Sequence, residues 1–283
     1  MNLGVLARRV VAEPLVHFLI VGLLIFVAAT TLRANARPTL RINRQEIQQL
    51  AAYWQAQMQR EPTKAELDGL IKERIDEEIL SAEAKRLGLD QDPNAPLFGI
   101  VSRLTWQKGV DLLLSNIPTI IEQGAQLAVL GNGDPGAEQG FHNAQAIHPG
   151  RIGSWIGYDE GLAHQVLAGS DAILVPSRFE PCGLTQMYGL RYGTLPLVSR
   201  VGGLSDTVVD ANPAALGRGV ATGVQFAPVT YEMMKVALER TVALYRQPEV
   251  WKKVQANAMA QDVSWTDPAR RYAALFRELV PTA

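Results

Sequence analysis

Cysteine is almost missing from this chain. The single thiol, Cys182, cannot close an internal disulfide, so no covalent framework holds the fold. The four histidines are scattered and show no metal-ligand spacing, which removes a structural zinc site from consideration. An excess of one charge is missing too. With 27 Lys and Arg against 28 Asp and Glu, the formal net charge is -1, and no global field favours nucleic acid. Charged residues make up only 19% and hydrophobic ones 47%, ordinary for a globular chain with some membrane content. No internal repeat or low-complexity tract interrupts the 283 residues.

One long hydrophobic run is present, Leu15 to Leu32, with His17 as its only titratable residue. As a helix it would span about 27 Å, close to the thickness of a bilayer core. The run predicts an uncleaved transmembrane helix within residues 1–38 and a single-pass membrane protein. A cleaved signal peptide is one rival, with Ala34-Asn35-Ala36 as its processing site. A buried helix of a soluble protein is another. Arg8 and Arg9 precede the run while Arg33, Arg37, Arg41 and Arg44 follow it, so the positive-inside rule assigns no orientation.

Residues 39–93 read as a small helical segment. Thr39 to Asn43 alternates like a short strand. Glu46 to Met58 has helical spacing, with Ile47, Leu50, Ala51 and Trp54 on one side. Thr63 and Glu66 form a capping box for a helix that carries Leu67, Leu70, Ile71, Ile75, Ile79 and Leu80 and stops at Gly88. Glu73, Asp76, Glu77 and Glu78 read as a solvated acidic face rather than a metal site. The stretches Glu13-Pro-Leu-Val-His-Phe, Glu66-Leu-Asp-Gly-Leu-Ile and Glu83-Ala-Lys-Arg-Leu-Gly-Leu make the first 90 or so residues resemble the anchor of membrane-bound, parvulin-type peptidyl-prolyl isomerases. That resemblance implies an anchor and a chaperone-like segment. It implies no isomerase activity, because nothing after Pro93 looks like the isomerase domain.

From Ala95 to the end, residues 95–283, the pattern changes. Short apolar runs at Leu97–Val101, Gln126–Leu130, Ile152–Ile156, Ala172–Pro176, Leu195–Ser199 and Val224–Phe226 alternate with helical patterns such as Gly109–Gln123, Glu160–Ala168 and Cys182–Tyr192. This predicts βαβ units and an α/β fold, a Rossmann-like doubly wound parallel sheet with ligands at the carboxyl ends of its strands. Three further helices, Thr230–Tyr245, Pro248–Ala260 and Asp267–Leu279, close the chain, with Trp251 and Trp265 as packing anchors.

Two segments could carry chemistry. In Pro176-Ser-Arg-Phe-Glu-Pro-Cys-Gly-Leu-Thr-Gln186, a strand leads into a helix. The amides of Gly183, Leu184 and Thr185 would meet an anion at the helix N-terminus, and a diphosphate suits such a place. Glu180 just before it could accept sugar hydroxyls and stabilise an oxocarbenium-like centre. An ordinary strand-to-helix turn with a solvated glutamate is equally open on chemistry alone. In Val101-Ser-Arg-Leu-Thr-Trp-Gln-Lys-Gly109, Arg103 and Lys108 stand at the end of another strand, where two cations could neutralise a leaving diphosphate. Surface charges on a loop are the plainer reading of either residue alone.

Together with Ile156-Gly-Tyr-Asp-Glu, Val201-Gly-Gly-Leu-Ser-Asp and Asp262-Val-Ser-Trp, these segments resemble, over about 190 residues and in order, the glycogen and starch synthases that use ADP-glucose. The resemblance implies the second Rossmann domain of a two-domain (GT-B) retaining glucosyltransferase that elongates α-1,4-glucan and needs neither metal nor cofactor. It implies diphosphate contacts from Arg103 and Lys108, an acidic role beside the donor glucose for Glu180, and phosphate held by the amides of Gly183, Leu184 and Thr185. It places Tyr158 against adenine, although an aromatic at a strand end could simply be packing. Cys182 becomes a wall of the site rather than a nucleophile, and Gly202 and Gly203 become loop glycines near the donor. Tyr188 stands eight residues after Glu180, where related retaining transferases carry a second glutamate.

The family's first domain opens with a lysine- and glycine-rich loop and supplies most of the acceptor site. No such loop precedes Pro96, so the expected partners are ADP or ADP-glucose and a membrane, with the α-glucan acceptor in doubt and activity weak or absent. The junction at residues 87–98 is abrupt and reads as a fusion or misassembled frame. The two resemblances also pull toward different compartments. ADP-glucose would put the soluble part in the cytoplasm, whereas the isomerase-type anchor points it outward.

Overall fold

The structure, a computed structural model, describes residues 21–22, 44–90, 92 and 94–279. The chain divides into two compact units, Met1–Glu78 and Ile79–Ala283. The Leu15–Leu32 run, apart from Val21 and Gly22, and the Thr39 to Asn43 segment lie outside the described residues. Among those described, no helix is long and apolar enough to cross a membrane.

In the first unit, α1 runs over Arg44–Met58 and α2 over Lys64–Leu87, its last residues belonging to the second unit. The capping box forms as its spacing requires. The Thr63 amide donates to Glu66 Oε2 at 2.8 Å, and the Glu66 amide returns to Thr63 Oγ1 at 3.4 Å. Arg60 forks the same carboxylate at 2.9 and 2.6 Å. Those guanidinium bonds, with the Thr63 donors, lower the Glu66 pKa to about 2. Helix α2 stops where Gly88 turns left-handed at φ +79°.

The second unit is built on a six-stranded sheet: β1 Leu97–Val101, β2 Gln126–Gly131, β3 Ile152–Ile156, β4 Ala172–Val175, β5 Leu195–Ser199 and β6 Val224–Phe226. Its order is β3-β2-β1-β4-β5-β6 and every pairing is parallel. Strand β2 is buried throughout, and alternate side chains leave by opposite faces. Leu127 and Val129 join Phe98, Ile100, Phe141 and Ile152 in one cluster. Ala128 and Leu130 join Leu87, Leu89, Leu162 and Val166 in another. This is why the strands read as continuous apolar runs rather than alternating ones. Each fully buried Leu or Ile contributes about 1.5–3 kcal/mol.

Between and after the strands lie α3 Val110–Ser115, α4 Ile117–Glu122, α5 Pro135–Ile147, α6 Glu160–Gly169, α7 Thr185–Tyr192, α8 Gly202–Thr207, α9 Pro213–Arg218, α10 Tyr231–Tyr245, α11 Pro248–Met259 and α12 Thr266–Leu279. The single helix expected over 109–123 is two. Asn116 turns its side-chain amide onto the carbonyls of Leu112 and Tyr231, at 2.9 and 3.3 Å, and Pro118 opens the next helix. Helix α7 starts three residues later than its pattern suggests, because Gly183 is left-handed at φ +73°. Trp251 is a buried anchor as expected, but Trp265 is 73% exposed. Helix α12 buries no residue, and Trp265 lies beside the exposed Tyr272 ring at 6.5 Å.

Candidate functional site

Strand order reverses between β1 and β4, so the chain leaves these neighbours in opposite directions and opens a crevice at their carboxyl ends. Both segments singled out in the sequence end there. Their loops touch backbone to backbone. Gly109 sits at φ +71°, and a Cβ on it would lie 2.0 Å from the Pro176 carbonyl oxygen. The Arg178 amide donates to Gln107 O at 2.8 Å, and Gln107 Nε2 donates to Phe179 O at 3.2 Å.

The Arg178 guanidinium completes this joint. It forks Asp111 at 2.6 and 2.8 Å, donates to Trp106 O at 2.8 Å and stacks over the Trp106 ring at 4.5 Å. Its hydrogen bonds hold the Asp111 carboxyl below the ordinary carboxylate range.

The joint brings Lys108 against Glu180, with Nζ 2.5 Å from Oε2. Ser177 Oγ donates to the same oxygen at 3.1 Å. The two charged side chains are only 19% and 13% exposed. Lys108 therefore meets the expected acidic residue directly. Arg103 stands exposed two positions beyond β1, and its side chain has no partner among the described residues.

Beyond Glu180 the backbone of residues 180–182 rests on the first turn of α8. The Gly203 amide donates to Glu180 O at 3.2 Å and Pro181 O at 3.0 Å. A Cβ on Gly202 would lie 2.2 Å from Glu180 O, and one on Gly203 would lie 2.3 Å from Cys182 O. These glycines thus support the loop from beneath. The amides of Gly183, Leu184 and Thr185 donate to nothing among the described residues. Gly183 at φ +73°, followed by Leu184 at φ -110° and ψ -31°, turns successive amides to one side as an anion-binding nest does. Cys182 is exposed beside them.

Tyr158 follows β3, two strands away from β1, and is 84% exposed, so its ring is not packed among the described residues. Tyr188, on α7, is half-exposed and meets the His164 ring edge-on at 5.7 Å. The structure thus gathers Lys108, Glu180 and the Gly183–Thr185 amides around one crevice, with Arg103 at its β1 side. Sequence reasoning missed Ser177, Arg178, Asp111 and Gln186. Ser177 could have been found from its place three residues before Glu180. The Arg178–Asp111 pair, 67 positions apart, leaves no local signal.

Residues 81–257 match the family model of the group 1 glycosyl transferases. The chain belongs to this family. It is 54% identical over 220 residues to a glycogen synthase of Rhodopseudomonas palustris, covering 75% of this chain and 46% of that protein. To a glycogen synthase of Acidiphilium cryptum it is 57% identical over 194 residues, covering 69% and 40%. Among solved structures, the catalytic domain of starch synthase IV from Arabidopsis thaliana, bound to ADP and acarbose, superposes with a TM-score of 0.65 at 33% identity. That likeness covers 72% of this chain and 42% of the starch synthase chain. The chain therefore spans less than half the length of these relatives. The parvulin-like resemblance of the first 90 residues gains no support from these comparisons.

Proposed function

We propose that this glycosyl transferase unit binds ADP-glucose and serves as the donor half of a retaining, glycogen-synthase-type glucosyltransferase. The observation that carries the reading is the Lys108–Glu180 pair lying beside amides that have no acceptor among the described residues. As the bond between glucose and diphosphate breaks, negative charge collects on the departing phosphate oxygen and positive charge on the anomeric carbon. Arg103, Lys108 and the Gly183–Thr185 amides would stabilise the first, and the Glu180 carboxylate the second. The exposed Tyr158 ring offers a stacking face for adenine, and Cys182 lines the wall. ADP in the starch synthase relative supports the choice of nucleotide.

This unit supplies one wall of a cleft. A two-substrate transfer draws about 7–11 kcal/mol from positioning both partners, so glucan elongation also needs an acceptor-binding wall. Titration of the full chain with ADP and ADP-glucose tests the donor reading, and absence of binding at millimolar concentration overturns it. Incorporation of labelled glucose into glycogen then separates donor binding from transfer.

The Leu15–Leu32 run supports a single-pass attachment to a membrane, with the donor unit on the cytoplasmic side where ADP-glucose is made. Recovery of the full chain in the soluble fraction without detergent would count against this attachment.

A further inference from the structure

Gln186 is an unexpected residue for the first turn of α7. It is fully buried, yet its Oε1 has no hydrogen-bond partner among the described residues. Leucine or methionine would fill the volume without that cost, so a reason for the amide must lie with its nitrogen.

The two N–H groups of Nε2 are shared among three acceptors: Cys182 O at 3.0 Å, Gly183 O at 3.0 Å and Thr207 Oγ1 at 3.1 Å. The polarity is unambiguous. Two acceptors are carbonyls, and the Thr207 hydroxyl spends its proton on Gly203 O at 2.6 Å, leaving only a lone pair for Gln186. Exchanging the amide oxygen and nitrogen would set an oxygen against all three.

In a trans peptide the C=O and N–H point in opposite directions. The carbonyl of Cys182 shares its peptide plane with the Gly183 amide, and that of Gly183 with the Leu184 amide. Drawing both carbonyls inward onto one nitrogen therefore drives both N–H groups outward, into the crevice. These are two of the amides that donate to nothing among the described residues. Gly183 must be glycine for this to work, since a Cβ there would lie 2.4 Å from Gln186 Oε1.

We propose that Gln186 is a positioning residue for diphosphate recognition: its buried amide locks the Cys182–Gly183 and Gly183–Leu184 peptides with their N–H groups facing the donor phosphates. Thr207 extends the lock to α8. The inference rests on the donor-binding reading above, and it assigns Gln186 no contact with the ligand.

The test compares ADP with adenosine on the full chain by calorimetry, in wild type, Gln186→Met and Thr207→Val. The lock acts on phosphate alone. Gln186→Met should weaken ADP roughly tenfold, the usual cost of losing hydrogen bonds to a charged group, and leave adenosine within about twofold. Thr207→Val, which removes one of the three acceptors, should weaken ADP about threefold with the same indifference to adenosine. A loss of packing alone would lower both ligands together. If Gln186→Met does not fold, Thr207→Val decides by the same ratio. Wild type preferring ADP, with the ratio unchanged in the variants, overturns the lock and spares the donor site. Wild type binding ADP no better than adenosine overturns the donor site and the lock with it.

Discussion

Lys108 Nζ lies 2.5 Å from Glu180 Oε2, and this contact makes the carboxylate and an incoming diphosphate competitors for one cation. In the free protein the lysine is engaged, and Ser177 Oγ holds the same carboxylate oxygen from a second side at 3.1 Å. Donor binding must divide Lys108 between two anions or withdraw it from the first. Glu180→Ala should therefore tighten ADP binding about fivefold, an ion-pair energy of about 1 kcal/mol. Lys108→Ala should weaken it about tenfold. Calorimetry on both variants checks the opposition of sign, and weaker ADP binding by Glu180→Ala would show that the carboxylate does not compete.

The Arg178–Asp111 fork gives a pH signature. Hydrogen bonds from Arg178 hold the Asp111 carboxyl below its ordinary value in the fold. A lowered folded pKa stabilises the protein above the unfolded pKa of about 4, and this stabilisation is lost as pH falls through the folded value. Asp111 is 48% exposed, so solvent screening limits the effect to about 1 kcal/mol or less. Asp111→Asn should lose that increment at pH 7. The gap between variant and wild type should close as pH falls below 4. Urea unfolding at pH 7 and pH 3 measures both ends, and a gap independent of pH would assign the variant's cost to packing.

Much of this fold was readable because its strands are buried on both faces. Ala128 and Leu130 serve one cluster and Leu127 and Val129 the other, so β2 appears as an unbroken apolar run that periodicity can find. All six strands were placed from the sequence, although β3 is buried only at Ile152 and Gly153. Helices α5, α8 and α9 were not. Residues 135–147 mix small and polar side chains, of which Ala137, Phe141 and Ala144 are buried, and α8 and α9 have six residues each. The site was legible where one loop carries it, as with Glu180 and the Gly183 turn. It was illegible where two loops meet, since the partners of Arg178 and Lys108 depend on which strands are neighbours. Trp265 misled because an aromatic before a helix resembles an anchor whether or not anything covers it.

Arg103 offers a separation of binding from stability. Its exposed side chain has no partner among the described residues, so Arg103→Ala should leave Tm within about 1 °C, as surface changes away from specific contacts generally do. ADP affinity should still fall about tenfold through the lost charge-assisted contact. Tyr158→Phe keeps the ring and should change ADP binding less than twofold, whereas Tyr158→Ala should weaken ADP and adenosine alike by removing the stacking face, worth about 1–3 kcal/mol. Thermal melts beside ADP and adenosine titrations distinguish these cases. An adenosine loss in Arg103→Ala would move that residue away from the phosphates.

The two glycines that open α8 should be as important to the site as any charged residue. Gly202 has φ +42°, and a methyl group there would lie 2.2 Å from the carbonyl oxygen of Glu180. That atom belongs to backbone, so relief requires moving the loop that carries Glu180. Gly202→Ala combines a left-handed strain with this clash, and should cost about 2 kcal/mol or more while weakening ADP binding. Gly217 supplies the contrast: it lies within α9, nothing stands within 4 Å of its would-be Cβ, and its φ is ordinary. Gly217→Ala should stabilise by about 0.5–1 kcal/mol through helix propensity and leave ADP binding unchanged. Urea denaturation and ADP titration of the pair make the comparison. Equal behaviour of the two variants would show that the turn yields without disturbing Glu180. Opposite signs in stability, with ADP binding lost only in Gly202→Ala, would place the support of the candidate site in this backbone contact.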